Sequence, residues 1–298
     1  MITIEMRIEK GEKNMKTGIW KLWAIVLTAG LLFAASGCEL TVDVMEACLA
    51  NTNAAKSISF ETDATMSMSV MGQQVAVKIQ GEGNSTAEPL RLFMQHKQQT
   101  GAITVEGQSY AELLDGEYVQ YTGFNGQWIK QTLPAGMVSQ NPQEAMQIYL
   151  EGISSYQKEG AETVAGVQTS KYSAVIGSDA LERVLQASGA VDQLTQLGMD
   201  TQQAAGLYTG LGDLPVTLWV DEAAMRAVKI EMNLTNILSS VMQKVIETQG
   251  EAASAEMSVN EFVMSMTITG YDTVESVEIP DEVRQQAMDY NDLLASMS

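Results

Sequence analysis

Residues 57–70 alternate without a break. Ile58, Phe60, Thr62, Ala64, Met66, Met68 and Val70 fall on one side. Ser57, Ser59, Glu61, Asp63, Thr65, Ser67 and Ser69 fall on the other. Side chains on a strand point alternately to its two faces, so this segment predicts a long strand with one dry and one wet face. Met71-Gly72 begins a turn, and Val75, Val77 and Ile79 resume the alternation. The same pattern returns with Val228, Ile230, Met232 and Leu234, and again with Phe262, Met264, Met266 and Ile268. Asp115-Gly116 and Asn125-Gly126 supply the positive φ angles of tight hairpins, separating strands near 109–114, 117–122 and 127–132. Further strands fit 161–167, 169–176 and 215–220. About ten strands, each beside its sequence neighbour, predict a large, twisted antiparallel sheet.

Between the strands the period changes from two to that of a helix. Val44, Met45, Cys48 and Leu49 fit an amphipathic helix over 44–56. Asn141-Pro142-Gln143-Glu144 combines a cap, a first-turn proline and a third-position carboxylate. Leu181, Val184, Leu185, Val191, Leu194 and Leu197 keep helical spacing over 179–197, and Asp200 caps a short helix after them. Ile237, Leu238, Val241, Met242, Val245 and Ile246 make a narrow apolar stripe. A sheet with one dry face needs a cover, and these helices supply it. The expected class is α+β: a large curved antiparallel sheet, or half-barrel, whose concave face is covered by amphipathic helices. Neither internal repeats nor low-complexity linkers interrupt residues 44–280, read as one domain, and residues 281–298 read as an acidic tail.

The N-terminus carries the sharpest motif. Lys16 and Lys21 precede an uncharged run, 22–37, that ends in Ala35-Ser36-Gly37-Cys38. A basic segment followed by a short apolar one reads as a secretory signal peptide, and the run is short for a membrane span. Small residues before a cysteine resemble the bacterial lipobox. By that resemblance Cys38 is acylated with a diacylglyceryl group and becomes the mature N-terminus, with 38–43 as a tether. Two acyl chains give stable anchoring. Met15 opens a well-formed signal peptide over 15–37, so 1–14 reads as a start-site extension.

Composition then removes functions. With 37 acidic residues against 17 basic, the formal net charge is −20, which repels phosphate backbones and argues against nucleic-acid binding. Two cysteines and a single histidine, His96, exclude a disulfide scaffold, finger-type zinc sites and HExxH chemistry. Cys48 reads as a small buried residue. Met66, Met68, Met71, Met264 and Met266 invite Cu(I), but strand-spaced methionines on an apolar face read as core or as a deformable pocket. Glu61 and Asp63 lie on the wet face, the glycines at 206–212 lack the strand and helix of a phosphate loop, and Ser109 and Ser155 lack a nucleophile-elbow context. No enzyme and no cofactor is expected.

The lipobox, the short helix, the long strand pair and the segment Leu218-Trp219-Val220-Asp221…Val228-Lys229-Ile230-Glu231-Met232 resemble the LolA/LprG/RseB-like superfamily of bacterial lipoproteins. So does the close, with its strand Met264–Thr269, Gly270-Tyr271 and Val277-Glu278-Ile279-Pro280. The nearest likeness is to a lipoprotein group of unknown function within it. The resemblance implies a curved sheet wrapped over helices and no catalytic residues. The expectation is an extracytoplasmic lipoprotein, held at the cell membrane by Cys38, that binds a hydrophobic or amphiphilic lipid-like ligand non-covalently. Ile58, Phe60, Met66, Met68, Trp128, Trp219, Met232, Phe262, Met264 and Met266 are its expected lining. Ile237, Leu238, Val241, Met242 and Val245 are the expected flap. The rival expectation is an envelope sensor that binds another protein and has no open cavity.

Overall fold

In a computed structural model, residues 43–70, 72–134, 142–187, 200–249, 257–290 and 292–293 are described. Cys38, the segments 1–14 and 15–37, Met71, Asn141 and residues 188–199 lie outside them. Residues 44–298 form one compact unit.

Twelve strands build one open sheet: β1 (Ser57–Val70), β2 (Gln73–Ala87), β3 (Leu90–Thr100), β4 (Ile103–Leu114), β5 (Glu117–Phe124), β6 (Gln127–Pro134), β7 (Ile153–Val164), β8 (Val167–Ile176), β9 (Leu214–Asp221), β10 (Arg226–Asn233), β11 (Met257–Tyr271) and β12 (Met288–Asp289). Their order is β12-β6-β5-β4-β3-β2-β1-β11-β10-β9-β8-β7. Every pairing is antiparallel except that of β12 with β6. The non-local antiparallel step is β1 against β11, which joins the two ends of the domain through a ladder of thirteen pairs. Two expected boundaries move. β7 begins at Ile153, and its hairpin turns at Ala165-Gly166, both at positive φ (50° and 80°). An alanine there gives no turn signal in the sequence.

Six helices accompany the sheet among the described residues: α1 (Val44–Asn53), α2 (Pro142–Gly152), α3 (Ser178–Ala187), α4 (Thr201–Leu207), α5 (Thr235–Gln249) and α6 (Asp281–Gln286). Met45 and Cys48 of α1, Met146 and Leu150 of α2, Leu181 of α3 and Ile237 of α5 join the strand residues Ile58, Phe60, Leu218, Ile230 and Ile268 in one core. The even-numbered positions of β1 therefore make the inner, helix-covered face, as the alternation requires. Gln143 fixes two helices at once: its Nε2 donates to the carbonyls of Thr52 (2.8 Å) and Ala55 (2.9 Å), satisfying the end of α1. Asp200 caps α4 by accepting from the amides of Gln202 and Gln203.

The outer face carries a smaller core of its own. Ile279 and Val283 cover Val119 and Tyr121, with Tyr110 and Trp128 at the margin. Arg284 locks this strap: its Nε and Nη2 meet the carboxylate of Glu112 at 3.1 and 2.7 Å, and Glu112 is only 3% exposed. The acidic tail thus begins as a packed element, and β12 caps the β6 edge.

Candidate functional site: two faces of one sheet

The expected lining residues divide by parity. Ile58, Phe60, Met66, Met68, Phe262, Met264 and Met266 share the inner face through the pairs Met66–Phe262, Ala64–Met264, Thr62–Met266 and Phe60–Ile268. Met232 joins them opposite Met264. Within this set burial is graded. Ile58, Phe60, Met232 and Met266 are buried, whereas Met66, Met68, Phe262 and Met264 are half-buried. The inner apolar surface therefore runs outward from a sealed core.

It continues onto residues that the sequence did not single out. Val77 and Ile79 follow Met66 and Ala64 across the β1–β2 ladder, and Ile103 and Val105 follow across β3 and β4. Ile79 is 41%, Ile103 68%, Val105 43% and Phe124 38% exposed. Polar residues interrupt this surface: Gln98 lies between Ile79 and Val105, and Thr100 between Val77 and Ile103. His96 sits edge-on to Phe124 at 5.3 Å between ring centres, over Gly107, where a Cβ would approach the imidazole to 2.5 Å. Burial lowers its pKa, and its Nδ1 has no hydrogen-bond partner.

The expected flap is α5. Its start is pinned to β11: Leu234 N donates to Phe262 O at 2.7 Å, and Phe262 N donates to Thr235 Oγ1 at 2.9 Å. Further along, Lys244 Nζ reaches the carbonyls of Leu207 (3.3 Å), Gly206 (3.4 Å) and Thr209 after α4. Ile237 is buried, but Leu238, Val241, Met242 and Val245 are only half-buried. The stripe is covered without being sealed.

Trp128 and Trp219 lie on the other face. Register carries one row from Glu61 through Glu82, Gln95, Gln108 and Gly123 to Trp128. The same row runs the other way through Thr267 and Lys229 to Trp219. The expectation that both indoles line the helix-side cavity therefore yields to strand parity: they sit opposite wet-face residues. Trp219 is 5% exposed, with the ammonium groups of Lys229 and Lys171 at 4.6 and 5.5 Å from its ring and its Nε1 donating to Glu162 at 2.9 Å. A cavity of about 630 Å3 lies over the row between Glu61 and Trp128. Trp128 lines it, and two further half-buried rings continue from that indole, Tyr110 on Trp128 at 5.7 Å and Phe93 on Tyr110 at 4.9 Å.

Chemistry that needs a poised group is scarce. Cys48 is buried, and burial raises its thiol pKa to about 12, so it is no nucleophile. Tyr118 is also buried, its hydroxyl unpartnered and its pKa raised by desolvation. Among the described residues no cluster of three His, Cys, Asp or Glu side chains is placed to hold a metal, and no helix is long and apolar enough to cross a membrane.

No protein-family model matches the chain, and no curated protein matches it. Among solved structures it is similar to the Mycobacterium tuberculosis lipoprotein LppX, at a TM-score of 0.44 and 12% identity, over 79% of this chain and 96% of that one. It is similar to LprF from Mycobacterium bovis at 0.43 and 13%, over 80% and 94%. An outer membrane lipoprotein-sorting protein domain from Vibrio parahaemolyticus gives 0.26 and 7%, over 81% and 96%. Likenesses this distant carry no argument about function, which rests on the chain's own residues.

Proposed function

We propose that this chain is an extracytoplasmic lipoprotein, tethered through acylated Cys38, that binds an amphiphilic lipid-like ligand non-covalently on the inner face, with α5 as a movable cover. One observation carries the reading: the inner apolar surface does not stop where the helical core stops. Met66, Met68, Phe262 and Met264 are half-buried, and Ile79, Val105 and Phe124 beyond them are exposed. Large apolar side chains left in contact with water on one face, with a few polar ones between them, mark a binding surface more often than an accident. Methionines adapt to irregular chains without strain. The interleaved Gln98, Thr100 and His96 suit a molecule with polar groups along its length. Covering on the order of 300 Å2 of apolar surface contributes about 7 kcal/mol at ~25 cal/mol per Å2, before the cost of immobilising the ligand.

Native mass spectrometry of the full chain purified from a bacterial membrane, followed by organic extraction, tests this. The expected result is a co-purifying lipid that Met66→Asp and Met264→Asp abolish while Ile103→Ser only weakens its retention. An empty protein that captures no added phospholipid or fatty acid defeats the reading and leaves the rival, a module that meets another envelope protein through this surface. The tether is tested separately: Cys38→Ser should move the protein from the membrane to the soluble fraction.

A further inference from the structure

The outer face holds a second surface that the lipid reading does not use. We propose that it binds a linear, uncharged glycan strand, laid across β1–β6 along the row from Glu61 to Trp128.

The row is one residue deep on each strand, so the sheet itself fixes its spacing. Glu61, Glu82, Gln95 and Gln108 stand side by side on four neighbouring strands, and Gly123 and Trp128 end the row on the next two. Neighbouring strands are about 4.8 Å apart, close to the length of one pyranose unit. Each unit of an extended saccharide would thus meet one carboxylate or amide, groups that accept from hydroxyls and, in the amides, also donate. The two long sides of the row differ. Phe93 and Tyr110 form a half-buried aromatic ledge on one side that leads to Trp128 at the end of the row, suited to the C–H faces of sugar rings. Asp63, Gln80, Lys97 and Glu106 line the other side, with Lys97 held by Glu106 at 3.0 Å. Gly123 completes the ledge, because any Cβ there would stand 2.7 Å from the Trp128 ring.

Three cavities adjoin along the row. The cavity of about 630 Å3 shares Glu61, Glu82 and Gln95 with a neighbouring one of about 230 Å3 beside Phe93. A third, of about 540 Å3, begins at Glu61 and runs toward Trp219. Cavities of several hundred Å3 are the usual size of ligand sites. The chemistry selects among ligands. An anionic polymer over β1–β4 meets Glu61, Asp63, Glu82 and Glu106, and in that cavity the lysine, Lys97, is already paired with Glu106. A lipid chain meets a polar floor. An extended peptide crossing at right angles to the strands gains no main-chain pairing, since the strands already pair with each other and augmentation needs an edge.

The test uses the full chain in a non-glycosidic detergent, titrated calorimetrically with cellohexaose, with the hexamer of N-acetylglucosamine, and with an uncharged glycine–serine decapeptide. At least one hexasaccharide should bind, the decapeptide should not, and Gln95→Ala with Gln108→Ala should weaken the saccharide by about tenfold or more, the worth of one or two hydrogen bonds. Both glutamines are exposed, so thermal unfolding should stay unchanged in that variant and folding cannot explain the loss. Trp128→Phe should keep part of the affinity and Trp128→Ala little. Failure of both hexasaccharides at millimolar concentration, binding indifferent to Gln95 and Gln108, or binding of the peptide alone overturns the proposal. None of these outcomes bears on the inner face, because lipid extraction reads that face independently.

Discussion

The inner face of β8–β10 and the far part of the inner face of β2–β5, beyond the core residues Leu92, Ala111 and Tyr118, are parts of one surface with opposite fates. On the first, Val216, Leu218, Ile230 and Met232 are all buried beneath helices. On the second, Ile79, Ile103 and Val105 stay in water, and Gly81, His96, Gln98 and Thr100 occupy positions where the first half has aliphatic side chains. Both halves come from alternating sequence. Alternation therefore says which face a residue joins and leaves open whether a helix lies over it. The first half stabilises the fold; the second half is free to bind.

The sharpest way to break this comparison is to truncate side chains in both halves. Leu218→Ala and Ile230→Ala should each cost about 2–5 kcal/mol in denaturant unfolding, the usual toll of a cavity in a filled core. Ile79→Ala and Ile103→Ala should fall within about 0.5 kcal/mol of the parent while lowering lipid retention. Equal costs in the two sets would mean that the exposed half is core as well.

Next in size is the outer strap. Glu112 is buried and holds Arg284 through two hydrogen bonds, with Arg91 Nε 3.6 Å away. Removing this carboxylate leaves arginines that are still partly solvated, so Glu112→Ala should cost about 2 kcal/mol, less than a fully buried pair would. Hydrogen exchange should rise selectively over 281–287. Uniform exchange across the sheet would show instead that the strap is part of the main core.

How much of this was legible in the sequence follows from the same physics. Residues 57–70 announced themselves because alternation over that length has one structural reading, as did the core of β11 over 262–269, and register across β1–β11 and β10–β11 then placed eight of the ten expected lining residues on one face. Trp128 and Trp219 were misplaced because a bulky aromatic looks like core wherever it stands. Only counting parity from Glu61 through five ladders puts Trp128 outside. The strap was hidden because Ile279 and Val283 are isolated apolar residues among charges, and Glu112 has no sequence mark of a partner far along the chain. A usable signal did exist in Gly107 and Gly123, since glycine inside a strand marks the close approach of a ring.

A smaller effect concerns the cover. Thr235→Val removes the acceptor of Phe262 N, and Lys244→Ala frees the carbonyls after α4. Each should destabilise by about 1 kcal/mol yet speed exchange of amides in 235–249 and the release of bound lipid. If lipid release is unchanged while exchange rises, α5 is a strut and the ligand leaves by another route.

The gentlest probe is pH, because each half carries its own titrating group. His96 is the single histidine and stands in the open half. Burial lowers its pKa from 6.5, so the unfolded chain takes up a proton before the folded one does. Its contribution is complete above pH 6.5 and is lost as pH falls through the lowered value. Glu222 stands in the sealed half, where Lys158 holds its two oxygens at 2.8 and 2.9 Å and the Tyr172 hydroxyl donates to it. Lys158 first, then Tyr172, lower its pKa from 4.5, so its contribution persists above 4.5 and disappears only on further acidification. Stability should therefore decline in two steps. His96→Gln should erase the upper step alone, and Glu222→Gln should shrink the lower one, where Asp272, also lowered by the amide of Lys56, continues to act. A single decline below 4.5 that ignores His96→Gln would place the imidazole in solvent and remove the distinction between the two halves at that position.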